Sequence, residues 1–169
     1  MRSLAATVVL VVLTGHVGAE AAATQHCRTA QLDVRLVRIS GAAGTVYVSF
    51  KVRNESSVPC HLRGYFRVRM LDRSRDRLET HDHQSGRSPI AAKRQPKTVT
   101  LLPDSTARWE LSYGDVCSRG KAVRAANLRL WSPHARRSRV VPAHPPGESG
   151  RFYACNGDLD VYRVYKRRR

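Results

Sequence analysis

From Leu32 onward, apolar and polar residues alternate with a period of two, and turn-forming residues interrupt the alternation at short intervals. The cleanest run is Thr45 to Arg53. There Val46, Val48, Phe50 and Val52 share one side, and Tyr47, Ser49, Lys51 and Arg53 the other. Successive side chains of a strand point to opposite faces, so this pattern predicts a strand with one buried face. Leu32, Val34 and Leu36 alternate likewise with Asp33 and Arg35, and Phe66, Val68 and Met70 with Arg67 and Arg69. Val99 and Leu101 continue the pattern between threonines. Ala107, Trp109, Leu111 and Tyr113 alternate with Arg108, Glu110 and Ser112, and Leu128 and Leu130 flank Arg129. Leu159 to Tyr165 predicts a last strand with looser alternation.

Gly41-Ala42-Ala43-Gly44, the stretch from Asn54 to Gly64 with Pro59, and Pro103-Asp104-Ser105 read as turns. No stretch has a helical period. One-sided burial argues for antiparallel pairing. About seven to eight short strands at this spacing predict an all-β fold, an immunoglobulin-like antiparallel β-sandwich. The polar stretch Arg73 to Pro96 is expected to hold a short edge strand near Arg77-Leu78. The Pro- and Gly-rich stretch Ser132 to Tyr153 is expected to be irregular.

The N-terminus changes the picture. Met1-Arg2-Ser3 is a short basic start, Leu4 to Leu13 is an apolar run, and Ala19-Glu20-Ala21 and Ala21-Ala22-Ala23 both fit an A-x-A cleavage pattern. The apolar run is shorter than the roughly 20 residues a membrane span needs. Residues 1–23 therefore read as a secretory signal peptide, cleaved after Ala21 or Ala23. Residues 24–165 form the β-sandwich domain and residues 166–169 a basic tail. No transmembrane anchor is expected after cleavage. Thr24-Gln25-His26 before Cys27 is not a lipidation box.

Four cysteines, Cys27, Cys60, Cys117 and Cys155, all lie beyond the cleavage site. An even count in an oxidising compartment reads as two disulfides, and no pair has the C-x-x-C spacing of zinc or redox sites. Four cysteines allow three connectivities.

The formal net charge is +17 over 169 residues, with Arg outnumbering Lys about five to one. A GC-rich genome raises Arg generally, but it does not by itself account for the excess over Asp and Glu. A strong positive field also draws polyanions. If the strands carrying them share a sheet, Arg67, Arg69, Arg108 and Arg129 lie on one solvent face, opposed only by Glu110, while Lys51 and Arg53 lie on the other sheet. These four arginines are the anion-binding candidates, because guanidinium groups grip phosphate or carboxylate bidentately.

Histidines supply a second candidate chemistry. His81-Asp82-His83 places two imidazoles on one side of an extended segment, and His134 and His144 lie in the Pro-rich stretch. Cleavage after Ala23 would leave Thr24-Gln25-His26 at a free amine, a square-planar set suited to copper(II) or nickel(II). The spacing fits no compact metal motif, so no metal or other cofactor is expected; His26, His81 and His83 are the residues that would serve one. No G-x-S-x-G, H-E-x-x-H or P-loop pattern occurs, and all cysteines are expected in bridges. The chain is therefore expected not to be an enzyme.

Asn54-Glu55-Ser56-Ser57-Val58-Pro59-Cys60-His61-Leu62-Arg63-Gly64-Tyr65 resembles the N-x-S-x-x-P-C-x-L-x-G-Y signature of exported actinobacterial proteins, the domain of unknown function 4232 family. Leu102 to Trp109 is similar to that family's L-x-P-G-x-x-A-x-W turn, with Asp104 in place of Gly. Cys117 and Ala154-Cys155-Asn156-Gly157-Asp158-Leu159 also match, and Phe66 stands where the family usually has Pro. The resemblance spans about Cys27 to Val164. It implies an exported immunoglobulin-like sandwich and no particular activity. In that strand order Cys60 and Cys117 fall in loops at the same end. The implied pairing is Cys60–Cys117, with Cys27–Cys155 tying the chain ends.

The expected function is that of an exported, non-catalytic binding or structural domain. Its partner would be an anionic cell-envelope polymer or lipid headgroup, or another exported protein. Export argues against nucleic acid. The alternative is extracytoplasmic copper or zinc binding through the histidine loops. The expected location is secreted, with or without cell-wall association.

Overall fold

The computed structural model describes residues 24–86, 88–89, 97–148 and 152–166. The expected signal peptide and the last three residues of the tail lie outside them. The described chain is all-β, with one 3-10 turn at Thr29–Gln31. Its layout is compatible with the expected immunoglobulin-like sandwich.

Thirteen strand segments are present among the described residues: β1 (Gln25–His26), β2 (Leu32–Ala42), β3 (Thr45–Asn54), β4 (Cys60–Arg63), β5 (Arg67–Leu71), β6 (His81–Gln84), β7 (Thr98–Leu101), β8 (Thr106–Gly114), β9 (Ala122–Ala125), β10 (Asn127–Trp131), β11 (Arg139–Pro142), β12 (Phe152–Cys155) and β13 (Asp158–Val161). The large sheet has the order β2-β3-β8-β13-β6. Facing its inner side are β11-β10-β5, β1-β4-β7 and the pair β12-β9. Pairing is antiparallel except for β1 with β4 and β6 with β13.

Every clean alternation places its apolar set inside. Val34, Leu36, Val48, Phe50, Val52, Val68, Met70, Trp109, Leu111, Leu128 and Leu130 are all buried in one continuous core. Trp109 on β8 stacks on Phe50 of β3 (4.4 Å) and on Phe66 (4.6 Å), the residue leading into β5. Those contacts join the two layers. Fully burying an aromatic side chain stabilises by about 1.5–3 kcal/mol. Farther along β8, Tyr113 packs against Phe152 of β12 at 4.7 Å, so the smaller sheets share that core.

Several segments expected as turns are strands. β4 lies inside the Asn54–Gly64 stretch, β11 lies inside the Pro-rich one, and β12 begins at its end. The expected edge strand near Arg77-Leu78 is a single bridge, Leu71 to Arg77; the strand proper is β6. That region protects an edge. Val68 N–H donates to Asp82 Oδ2 and Met70 N–H to Thr80 Oγ1, each at 3.0 Å, so side chains cap the free side of β5.

The disulfide pairing differs from the one implied by the resemblance. The bonds are Cys27–Cys60 and Cys117–Cys155, not Cys60–Cys117 and Cys27–Cys155. The short β1 runs parallel to β4, with Gln25 opposite Cys60, and brings Cys27 within 4.9 Å of Cys60 between Cα atoms. β12 pairs with β9, with Cys155 opposite Ala122, which sets Cys155 5.3 Å from Cys117. Sequence separations of 33 and 38 residues correspond to about 4 kcal/mol each in the chain-entropy picture.

Candidate functional site

Three of the four anion-binding candidates come together. β5 and β10 pair with Arg69 opposite Arg129 and Arg67 opposite Trp131. Val68, Met70, Leu128 and Leu130 occupy the inner side, so the arginines take the outer one by strand parity. Arg67 lies over the Trp131 ring, 5.2 Å from its centroid, and donates from Nη2 to the Ala135 carbonyl at 3.0 Å. This contact holds the loop after β10, whose Arg136 and Arg137 are exposed, beside the same face. Among the described residues none of these five arginines forms an ion pair. Directly opposed like charges on a sheet repel, which leaves Arg69 and Arg129 receptive to an outside anion.

Arg108 does not join them. It lies on β8 in the large sheet, in one cross-strand row with Arg35 and Lys51. The expected shared face assumed that β8 pairs with β5 and β10, whereas β8 lies between β3 and β13. Neighbouring acids soften this second basic surface. Arg35 pairs with Asp33 (2.7 Å), and Arg53 with Asp104 (2.6 Å), which raises the Arg53 pKa through the hydrogen bond and the charge.

Glu110 does not oppose the arginines on a solvent face either. It is 2% exposed. The chain after β13 continues beside β8, with Tyr162 N–H on the Glu110 carbonyl and a bridge between Tyr165 and Arg108. Tyr165 Oη donates to Glu110 Oε1 at 2.5 Å, Ser49 Oγ to the same oxygen at 3.3 Å, and Ser88 Oγ to Oε2. Next to this cage Ser112 Oγ meets Tyr162 Oη at 2.8 Å. A carboxylate so enclosed is satisfied by hydroxyls and has no open side toward a ligand.

The histidines regroup. His81 and His83 both lie exposed on β6, close to Glu79 and Asp158 respectively, each at 3.4 Å. His26 is not with them. It sits on β1 in register with His61 on β4, ring centroids 4.2 Å apart, and the His134 ring lies 4.4 Å from it. Desolvation lowers the His26 pKa below its ordinary value, helped by His61, His134 and then Arg63. Among the described residues no three His, Cys, Asp or Glu side chains already converge on one metal position. The sequence pointed to neither His61 nor His134 as a partner for His26. The available signal was that His26 and His61 each adjoin a cysteine, which becomes informative only once Cys27 is known to bond Cys60.

The most distinctive sequence motifs serve folding. Asn54 is fully buried, and its Nδ2 donates to the carbonyls of Val58 (2.8 Å) and Leu101 (3.2 Å). Its Oδ1 accepts from Ser56 N (3.0 Å) and Oγ (2.7 Å). This closes the turn that delivers Pro59 and Cys60 to β4. Asp104 has φ +60°, a left-handed conformation that Gly adopts freely and Asp tolerates. At Gly157 (φ +75°) an added Cβ would come 2.3 Å from the Glu79 carbonyl oxygen, so no side chain fits there.

No described helix is long and apolar enough to cross a membrane. No curated protein and no solved structure matches the chain. One family model does, described as Domain of unknown function (DUF4232). Its match over residues 27–165 takes in both disulfides, the buried-asparagine turn and the glycine-dependent turn before β13, and the chain belongs to that family.

Proposed function

We propose that the chain works outside the cytoplasm as a non-catalytic binding module, and that the β5–β10 face takes an anionic component of the cell envelope. The target is a polymer or lipid headgroup that carries phosphate or carboxylate. The observation that carries this reading is the in-register pair Arg69 and Arg129, flanked by Arg67 on Trp131, with no ion pair among the described residues. Two disulfides suit an oxidising compartment, and the apolar Leu4–Leu13 segment with its Ala-x-Ala boxes supports export. Export favours an envelope target over nucleic acid. The Arg-rich composition agrees with an actinobacterial, GC-rich source.

Guanidinium groups bind phosphate and carboxylate through paired N–H donors, and a stacked guanidinium keeps those donors at the ring's edge. Co-sedimentation with vesicles of anionic phosphatidylglycerol against neutral phosphatidylcholine tests the proposal. The protein is expected to follow the anionic vesicles and to be released by salt, since exposed charges are screened within about 10 Å at 0.1 M. The Arg69→Glu/Arg129→Glu variant is expected to stay in the supernatant. Equal sedimentation of parent and variant would refute this face as the binding surface.

A further inference from the structure

The Cys27–Cys60 bond and the histidine positions belong to one construction. His26 precedes Cys27 and His61 follows Cys60, so the disulfide that joins the cysteines also holds the two imidazoles side by side. Residues in register on neighbouring strands point to the same face, with backbones about 5 Å apart. The third imidazole comes from the loop after β10. His134 has φ +65°, an uncommon conformation for a residue with a side chain, and one found where loops are constrained. The constraint is a buried knot. Ser132 Oγ donates to the Cys27 carbonyl (2.8 Å), and Ser132 N–H donates to Thr29 Oγ1 (3.0 Å), which also meets Ser132 Oγ (3.1 Å). The knot locks together two segments more than 100 residues apart in sequence, and the disulfide ties the Cys60 segment to them, under three exposed or half-buried imidazoles.

We propose that His26, His61 and His134 form a binding site for a divalent transition-metal ion of the zinc type. Three neutral imidazoles with a fourth position open to water or an anion make a recognised zinc donor set. The rings now pack at tilts of 51° and 44° rather than aiming at one point. Ligation requires these side chains to rotate, over a backbone tied by the disulfide and the Ser132–Thr29 knot. A site built on a rigid base loses little freedom on binding, which is what metal affinity requires. The set differs from the amine-and-amide site at Thr24-Gln25-His26, which demands copper(II) or nickel(II), so zinc tells the two apart. It also differs from the pair His81 and His83, which lies on β6 in the large sheet. The loop that carries His134 is the one Arg67 grips at Ala135, so a bound cation would adjoin the arginine face.

Isothermal titration of the untagged, disulfide-intact protein with zinc chloride at neutral pH is the test. The expected result is one zinc per chain. His61→Gln or His134→Gln should weaken it about tenfold or more, while the His81→Ala/His83→Ala variant binds as the parent does. Cobalt(II) supplies a second readout. Its visible d–d bands should show a tetrahedral site in the parent and fade in His61→Gln. The glutamine variants keep a polar side chain on an exposed surface, and unchanged thermal midpoints in metal-free buffer establish that they fold. Absence of zinc binding, or binding that persists in a His26→Ala/His61→Ala/His134→Ala variant, overturns the proposal.

Discussion

The two outward surfaces of this molecule carry the same residue type in opposite circumstances. On the large sheet, Arg35 and Arg53 have carboxylate partners, and the only acid of β8, Glu110, is roofed by Tyr165 and Ser88. On the β5–β10 side, Arg67, Arg69 and Arg129 face outward without an ion pair among the described residues. Total charge does not separate the two surfaces. What does is where the chain places its few acids: on the large sheet Asp33 and Asp104 pair with Arg35 and Arg53, and on the other face the arginines have no ion pair among the described residues.

The strongest way to break the comparison is to remove what both surfaces rest on. Trp109→Ala deletes the ring between Phe50 and Phe66, and is expected to cost about 3–5 kcal/mol in a urea melt. Anionic-vesicle binding should disappear together with the fold. Trp109→Phe should cost less, because it keeps an aromatic contact and discards an indole N–H that finds no acceptor among the described residues.

Glu110→Ala separates the surfaces. It removes the carboxylate that the hydroxyls of Ser49, Ser88 and Tyr165 donate to and is expected to lower stability by about 1–3 kcal/mol. Vesicle binding should stay as it is. A loss of binding in this variant would mean that the roofed side takes part.

Charge reversal sharpens the contrast without touching the core. Arg69→Glu/Arg129→Glu is expected to abolish vesicle binding and to shift stability by no more than about 0.5 kcal/mol. Arg35→Glu/Lys51→Glu, the same change in net charge on the large sheet, should reduce binding only modestly. Equal losses in the two variants would reduce the effect to overall charge.

The smallest effect belongs to the layer between the surfaces and shows only in alkali. Burial pushes the Tyr113 hydroxyl up to about 12, with lesser effects from Tyr153 and Asp115. The unfolded chain loses this proton near its ordinary value, about 10, before the folded chain does. The stability that Tyr113 contributes is therefore complete below pH 10 and drains away as pH rises through about 12. Tyrosinate absorbance and far-ultraviolet circular dichroism followed across that window should change together. Across the same window the Tyr113→Phe variant should lack the part of this loss that Tyr113 contributes.

The alternating strands were legible because one-sided burial writes itself into a period of two. Every inward residue expected on β2, β3, β7 and β8 is inward. Illegible were features made by distant partners. β6 reads His-Asp-His-Gln, with all four residues exposed, and is a strand only because β13 lies beside it. Glu110 occupies an outward position of its strand, and its burial comes from residues more than 50 positions later and 22 earlier. The disulfide pairing hung on β1, two polar residues with no pattern to read, whose parallel contact with β4 settles which cysteines meet. The histidine cluster followed the disulfides and was hidden with them. The asparagine signature was conspicuous in sequence, and its role is to close a turn.

The side-chain capping of β5 has a consequence beyond this single molecule. A strand with a bare row of backbone donors is a template on which a second copy can polymerise. Here Asp82 and Thr80 occupy the donors of Val68 and Met70, so that rim offers no docking ladder even where the protein is crowded against itself. Asp82→Ala would reopen it, and ordered self-association seen by light scattering is the behaviour such a variant should acquire.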